Sequence, residues 1–199
     1  MEQFEYPIGA TPIDPDEMEG LKLGHITTRD ELNRFEQSNI NDALQWLSSR
    51  RRSDVLTEKF IKTLHQKMFG KVWKWAGVFR KSAKNIGVDW HKISEELHTL
   101  LGDVRYWIEN KTYSEDEIAA RFHHRLVWIH SFPNGNGRHA RLMTDVLLKE
   151  VLNKEPFTWN IERITSEDEI RGLYLQALRA ADNLNYSALL NFLREDWGK

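Results

Sequence analysis

The chain has 199 residues, 40% of them hydrophobic and eight of them tryptophan, which is enough for one domain with a substantial core. The formal net charge of −2 excludes a strongly basic protein, so neither nucleic acid nor an anionic membrane is an expected partner. The lack of cysteine excludes disulfides and thiolate metal sites, and no apolar run is long enough to span a membrane, so we expect a soluble cytoplasmic protein.

Local signals divide the chain into three parts. We predict an extended arm over residues 1–24, because proline restricts the backbone and opposes a helix. The three prolines of this arm are Pro7, Pro12 and Pro15. Residues 25–54 contain an N-terminal helix, since Thr28 as N-cap and Glu31 three residues later form a capping box before an apolar stripe. Residues 55–199 are assigned to the core domain.

Apolar residues recur at helical spacing along the core domain and predict a largely helical protein. The three clearest stripes contain Phe60, Leu64 and Met68, then Leu97, Leu101, Val104 and Ile108, and then Ile118, Phe122, Leu126 and Ile129. The first helix should end near Gly70, and the second should begin at Ser94. The third should begin at Ser114, where Glu117 completes a capping box. Further stripes predict helices around residues 142–147, 170–177 and 189–193.

One segment of the core domain has no helical stripe. Residues 78–90, "VFRKSAKNIGVDW", combine β-branched and aromatic residues with a glycine, which favours a short β-hairpin or an extended flap. The predicted fold class is therefore all-α, a helical bundle with one small β-hairpin.

The chemistry of the chain is concentrated in residues 130–141, "HSFPNGNGRHAR". His130 lies at the end of a predicted helix, and Pro133 prevents that helix from continuing. The glycines that follow tolerate the backbone angles of an anion-binding nest, and the next helix directs its free N–H groups to the same place. Arg138 and Arg141 are three residues apart, hence on one face of that helix, and guanidinium groups suit phosphate oxygens. A histidine beside a bound polyphosphate indicates a general base.

This segment resembles the signature of Fic-domain proteins, His-Pro-Phe-x-(Asp/Glu)-Gly-Asn-Gly-Arg-x-x-Arg. The matching residues are His130, Phe132, Gly135, Asn136, Gly137, Arg138 and Arg141. The resemblance continues in "WAGVFRKSAKNIGV", which is similar to the segment leading into the Fic flap, and it covers most of residues 55–190. The stretches "EGLKLGHITTRDELNRFEQSNI" and "RFHHRLVWIHSFPNGNGRHARLM" resemble the Fic subgroup called mobile mystery protein B.

The resemblance implies a Fic fold and a protein adenylyltransferase that moves AMP from ATP to a Ser, Thr or Tyr hydroxyl of a target protein, with Mg²⁺ as cofactor. It implies that His130 deprotonates the hydroxyl and that Asn136 and the backbone of residues 135–137 hold the phosphates. Arg138 would bind the outer phosphates, and Arg141 would orient the γ-phosphate. The flap, containing Lys84, Asn85, Ile86 and Gly87, would pair with an extended segment of the target.

Two residues depart from the Fic signature. Ser131 replaces the usual proline, which should change the stiffness of the loop rather than its chemistry. Asn134 stands where the family usually has the Asp or Glu that holds Mg²⁺, and it offers a carbonyl oxygen without a charge. The nucleotide phosphates could supply the remaining negative charge.

Many Fic proteins carry an inhibitory helix with the motif (Ser/Thr)-x-x-x-Glu-(Gly/Asn), whose glutamate pairs with the second arginine of the signature. The predicted N-terminal helix is in the place expected for this element, and Glu36 is the candidate partner of Arg141. The match is partial, because Leu32 stands at the Ser/Thr position and Gln37 at the Gly/Asn position. A solvated Glu36 is the alternative.

Three hypotheses about the function remain open at this point. They are an autoinhibited adenylyltransferase, a Fic-fold phosphotransferase that binds its nucleotide in another orientation, and a nucleotide-binding or interaction module with little catalytic power. Restraint by a separately encoded, antitoxin-like partner, as in toxin–antitoxin Fic pairs, is also open. His123 and His124 lack the spacing or carboxylate of a metal site, so packing or solvent exposure is expected for them.

Overall fold

The computed structural model describes residues 14–49, 51, 53–159 and 167–194. Its helices are α1 (Pro15–Met18), α2 (Arg29–Ser48), α3 (Glu58–Phe69), α4 (Ile93–Glu109), α5 (Glu115–Ile129), α6 (Asn136–Leu147), α7 (Glu167–Asp182) and α8 (Ser187–Arg194). A 3₁₀ turn, Trp90–Lys92, leads into α4, and a π-helical turn, Leu148–Leu152, extends α6. The described residues form no β-sheet, which confirms the helical class.

Local capping signals set most of the helix starts. The side chain of Thr28 accepts a hydrogen bond from the Glu31 N–H at 3.2 Å, and the Glu31 carboxylate accepts one from the Thr28 N–H at 3.2 Å, as the capping box predicts. α5 likewise begins after Ser114. The predicted start of α4 at Ser94 differs, because α4 already begins at Ile93, directly after the 3₁₀ turn.

The N-terminal strap, residues 14–24, lies against the core domain. Pro15 is the first residue of α1 rather than part of an extended arm, since the fixed φ of proline is compatible with the first position of a helix. Farther along the strap, Leu21 and Trp73 form an antiparallel bridge, and the Lys22 N–H donates to the Val72 carbonyl at 2.8 Å. Residues 1–13, the rest of the predicted arm, lie outside the described residues.

Two groups of buried side chains hold the helices together. The larger includes the apolar faces of α3, α4, α5 and α6, with fully buried members such as Leu64, Leu97 and Phe122. The smaller lies between α5 and the pair α7–α8, where Leu189 and Phe192 pack near Ala119. Since α5 and α6 belong to the larger core, the loop that joins them has a rigid base.

The β-hairpin predicted over residues 78–90, here called the flap, is absent from the structure. The flap is irregular because its polar backbone groups find partners outside a strand ladder. The Arg80 N–H donates to the Ser131 carbonyl at 3.0 Å, and the Val88 N–H donates to the Ile129 carbonyl at 3.4 Å. The guanidinium of Arg80 also bonds the Ser82 carbonyl at 2.8 Å and the carbonyl of Val88. Arg80 therefore satisfies flap carbonyls that cross-strand hydrogen bonds would satisfy in a hairpin.

No helix in the described parts of the chain combines the length and the apolar character needed to cross a bilayer.

Candidate active site

The candidate site is built on the loop that joins α5 to α6, residues 130–135. His130 follows the last residue of α5 in the left-handed region, with a φ of 54°, and this turns the chain out of the helix. Gly135 has a φ of 78°, and α6 begins directly after it. The histidine and the free N–H groups of the first turn of α6 are thus separated by one short loop.

The side chain of Asn136 closes this loop. Its Oδ1 accepts a hydrogen bond from the Phe132 N–H at 2.9 Å, and its Nδ2 donates to the Phe132 carbonyl at 2.7 Å. The ring of Phe132 is buried and stacks on His65 with centroids 3.7 Å apart. Because the amide of Asn136 is engaged with the loop, its backbone N–H is the group it can offer to an anion.

His65 supports the loop from α3. Its Nδ1 accepts a hydrogen bond from the Gly77 N–H at 3.0 Å, so the ring proton is on Nε2, which donates to the Asn134 carbonyl at 3.1 Å. Burial lowers the pKa of this imidazole well below its usual value, which keeps the ring neutral. His65 therefore fixes the residue before Gly135 without adding charge to the site.

The start of α6 has open space beside Gly137 and close packing beside Gly135. A Cβ built on Gly137 meets nothing within 4 Å, whereas a Cβ on Gly135 would lie 2.7 Å from the ring of Phe69. The Gly135 N–H already donates to Oδ1 of Asn134 at 2.7 Å. An anion at this helix end would therefore be bound by the N–H groups of the first α6 turn, on the Gly137 side.

Arg138 is engaged by a carboxylate from α2. Nη1 of Arg138 lies 2.7 Å from Oε2 of Glu36, and the side chain of Glu36 is 2% exposed. The other carboxylate oxygen of Glu36 accepts a hydrogen bond from the indole N–H of Trp73 at 2.6 Å. The predicted partner of Glu36 was Arg141, and the structure pairs it with Arg138 instead. The alternative of a solvated Glu36 is excluded by its burial.

Arg141 lies one turn farther along α6. Burial lowers the pKa of its guanidinium from the ordinary value, and the positive charges of Arg138 and Arg171 add to that shift. Arg141 remains charged at neutral pH, because an arginine is not deprotonated in proteins. The start of α6 is thus flanked by positive charge.

His130 is kept in its neutral form. Its pKa is lowered from 6.5 to about 4, mainly by burial and next by the positive charge of Arg80, with a smaller contribution from Lys84. A hydrogen bond to the backbone of Val127 opposes the shift. At pH 7 the imidazole is therefore unprotonated and able to accept a proton.

The flap lies directly beside His130. Gly87 has a φ of 100°, and a Cβ there would lie 2.6 Å from the Cβ of His130, so only glycine fits. Asn85 and Ile86 are exposed, which leaves them accessible to another chain. The Lys84 side chain is 3% exposed, and its Nζ lies 2.7 Å from Oδ2 of Asp14 and 2.5 Å from Oε2 of Glu17. Lys84 therefore binds the N-terminal strap rather than facing solvent.

Asn134, at the metal position of the signature, is a poor ligand for Mg²⁺. Asn134 contributes one neutral amide oxygen, which already accepts the Gly135 N–H, whereas Mg²⁺ prefers anionic oxygen. Among the described residues, no group of three His, Asp or Glu side chains is placed to hold a metal ion.

The two histidines of α5 that precede His130 have structural contacts. Nε2 of His123 lies 2.8 Å from the Tyr174 hydroxyl, and Nε2 of His124 lies 2.8 Å from Oδ1 of Asp182. Both contacts join α5 to α7, so packing is the role of these side chains, as expected from the sequence.

Sequence reasoning missed three residues that hold the site, namely His65, Arg80 and Trp73. Their partners in the site lie 69, 50 and 37 positions away along the chain, so no local pattern reveals them. One local signal existed for His65, which falls on the buried face of α3 between Ile61 and Phe69. A buried histidine on an apolar stripe needs polar partners, and that requirement pointed to a loop contact.

Comparison with known proteins shows which proteins the chain resembles. Residues 55–148 match the Fic/DOC family model. The protein adenylyltransferase Fic of Aedes aegypti is 32% identical over 101 residues, which are 49% of this chain and 20% of that protein. The chain therefore matches about a fifth of the length of this curated relative.

Solved structures share the architecture. The N-terminal FIC domain of the Bep8 protein from Bartonella sp. 1-1C has a TM-score of 0.68 at 16% identity, covering 96% of this chain and 92% of that one. The BepC protein from Bartonella tribocorum, solved with bound AMPPNP, has a TM-score of 0.66 at 16% identity, covering 90% and 96%. Residues 55–148 of this chain thus match the Fic/DOC family model, and the chain shares the fold of solved Fic domains.

Proposed function

We propose that this chain transfers AMP from ATP to a hydroxyl group of a protein substrate. The observation that carries the proposal is the α5–loop–α6 unit, in which a neutral His130 and the open start of α6 are joined by one locked loop. The names of the curated relatives support the same reaction. The target is proposed to present a Ser, Thr or Tyr side chain.

In this reaction His130 acts as the general base. The target hydroxyl oxygen attacks the α-phosphorus of ATP, its proton moves to the imidazole, and the bond to the oxygen bridging the α- and β-phosphates breaks. Pyrophosphate leaves, and the target carries AMP through a new P–O bond. A base with a pKa of about 4 is weak, so we expect proton transfer to accompany P–O bond formation rather than precede it.

The first turn of α6 would hold the phosphates. Its backbone N–H groups, the space beside Gly137 and the charge of Arg141 favour an anion at this place. We propose that Arg138 binds the outer phosphates once it is released from Glu36. Because Asn134 alone is a poor Mg²⁺ ligand, we propose that the nucleotide phosphates bring the metal ion with them.

The proposed resting state is autoinhibited by α2. Glu36 neutralises Arg138 and is itself held by the indole of Trp73, so a phosphate group must displace a buried carboxylate before it reaches the guanidinium. Nucleotide binding and the Glu36–Arg138 pair are then in competition. An antitoxin-like partner encoded separately is not required for this restraint, although it could add to it.

ATP labelled at the α-phosphate or at the γ-phosphate tests the reaction in a lysate of the source cell. We expect label on protein from the α-phosphate only, and loss of that label with His130→Ala. Label from the γ-phosphate would identify a phosphotransferase instead. Nucleotide binding without any transfer, in wild type and in Glu36→Gly, would identify a binding module.

We also propose membership of the mobile mystery protein B subgroup and a cytoplasmic location. The subgroup is supported by residues 19–40 and 121–143, whose sequences resemble that subgroup, and the location by the composition of the chain. Expression of the full chain with a fluorescent tag tests the location directly.

A further inference from the structure

Arg80 is a buried cation that neither the Fic signature nor the proposed reaction uses. It is 2% exposed, yet its guanidinium binds backbone carbonyls rather than a carboxylate. Burial lowers the pKa of this guanidinium, with the charges of Asp89 and Glu17 opposing the shift, but arginine stays protonated at any physiological pH. Burying a permanent charge beside the loop of His130 costs desolvation free energy, which its partners must offset.

The carbonyls that Arg80 binds come from two sources. Two belong to the flap, those of Ser82 and Val88. The other two belong to the end of α5, where Nε donates to the His130 carbonyl at 2.6 Å and Nη2 donates to the Ile129 carbonyl at 3.4 Å. Each N–H of the planar guanidinium has a fixed direction, so four such bonds define the position of one segment relative to the other.

The electrostatics at the C-terminal end of α5 favour a positively charged partner such as Arg80. The last carbonyls of a helix have no partner within the helix and carry a partial negative charge. α5 has no basic residue in its last turn, so its own sequence supplies no compensation. Arg80 provides that charge from the flap, and its backbone N–H binds the next carbonyl, that of Ser131, at 3.0 Å.

We propose that Arg80 is the positioning residue that joins the flap to His130 and so fixes where a target segment lies relative to the general base. The inference rests on the proposed function, because the flap is where the target would dock. Gly87 completes the junction, since its lack of a side chain lets the flap contact His130. Arg80 and Lys84 are the cations that face the imidazole, both from the flap, and the Val127 backbone faces it from α5.

Three variants test the role of Arg80 in the full chain. Arg80→Gln removes the charge and most donors, Arg80→Lys keeps the charge without the planar fork, and Arg105→Gln is the control. Arg105 is an exposed arginine of α4 that binds a single carbonyl, that of Leu56. Three quantities are measured, namely amide hydrogen exchange, the NMR titration of the His130 imidazole, and transfer of labelled AMP.

In Arg80→Gln we expect the rate of amide hydrogen exchange at positions 80 and 88 to rise at least tenfold. The rate of AMP transfer should fall at least tenfold, while ATP affinity stays within twofold of wild type. The pKa of His130 should rise from about 4, because the charge of Arg80 is lost while burial, the larger cause of the low pKa, remains. Arg80→Lys should show the faster exchange without the change in titration, and Arg105→Gln should match wild type in all three.

Unchanged flap exchange and an unchanged His130 titration in a folded Arg80→Gln variant would overturn the inference. If the Arg80 variants do not fold, Gly87→Ala takes their place, because its Cβ would lie 2.6 Å from His130 and 2.8 Å from Nη2 of Arg80. Faster flap exchange and slower transfer would support the inference, and wild-type values would refute it. If wild type itself transfers no AMP, the proposed function fails, while exchange and titration still decide the role of Arg80.

Discussion

Glu36→Gln is the smallest change that should release the proposed autoinhibition. Glutamine keeps the size of the side chain and an oxygen that can accept the Trp73 N–H, but it removes the charge that binds Arg138. We expect ATP to bind more tightly and AMP transfer to be faster. Asp42→Asn is the matched control, since Asp42 lies on the same helix and forms a 2.7 Å ion pair with the exposed Lys71.

The size of the effect follows from the burial of the pair. Two unit charges 4 Å apart gain about 4 kcal/mol at an effective dielectric constant of about 20, and desolvation offsets much of that gain. The Glu36 side chain is 2% exposed and that of Arg138 is 29% exposed, so the pair is only partly screened by water. A net value of about 1–2 kcal/mol corresponds to roughly 5- to 30-fold in the dissociation constant of ATP.

Calorimetric titration with ATP and with AMP measures this effect, alongside transfer of α-labelled AMP. AMP lacks the outer phosphates that Arg138 would bind, so its affinity should be the same in wild type and Glu36→Gln. Asp42→Asn should leave both ligands and the transfer rate unchanged. If ATP affinity in a folded Glu36→Gln protein stays within twofold of wild type, the Glu36–Arg138 pair is not inhibitory.

Three further predictions follow from the loop and from the buried ionisable groups. Asn134→Asp adds an anionic oxygen and keeps the acceptor for the Gly135 N–H, so the Mg²⁺ concentration for half-maximal transfer should fall severalfold, and an unchanged Mg²⁺ titration would contradict this. Gly135→Ala should lower the free energy of unfolding by roughly 2–4 kcal/mol in urea titrations, because it combines a left-handed backbone with a clash against Phe69, and a loss below 1 kcal/mol would contradict that reasoning. Burial lowers the pKa of four histidines, so the unfolded chain binds more protons than the folded chain below about pH 6.5, and stability should fall as pH drops from about 6.5 toward 4. The four are His65, His123, His130 and His139. Burial raises the pKa of Asp145 to about 6, so this one carboxyl group stabilises the folded chain as the pH falls, but the four histidines together outweigh it. A urea unfolding midpoint at pH 4.5 that equals or exceeds the midpoint at pH 6.5 would contradict this prediction.

The features that could be predicted from the sequence depend on residues close together along the chain. The capping box of Thr28 and Glu31 involves neighbours along the chain, so the start of α2 followed from the sequence, and the position of the signature loop followed in the same way. The hairpin prediction failed because a distant contact, between Arg80 and the end of α5, satisfies the flap backbone better than a strand ladder. β-branched residues favour extended backbone, but they do not determine where its hydrogen bonds go.

The proposed exchange of partners by Arg138 has a consequence that holds for any proposed target. Glu36 binds the guanidinium in the structure, and in the proposed active state the outer phosphates would bind it instead. Thermodynamic linkage is reciprocal. The factor by which ATP affinity rises when the Glu36–Arg138 pair is broken is therefore also the factor by which bound ATP disfavours that pair. Glu36 lies on α2, and its second contact is Trp73, which pairs with Leu21 of the N-terminal strap. Any partner that displaces α2 or the strap should therefore raise ATP affinity, and ATP should in turn weaken the packing of α2 by the same free energy.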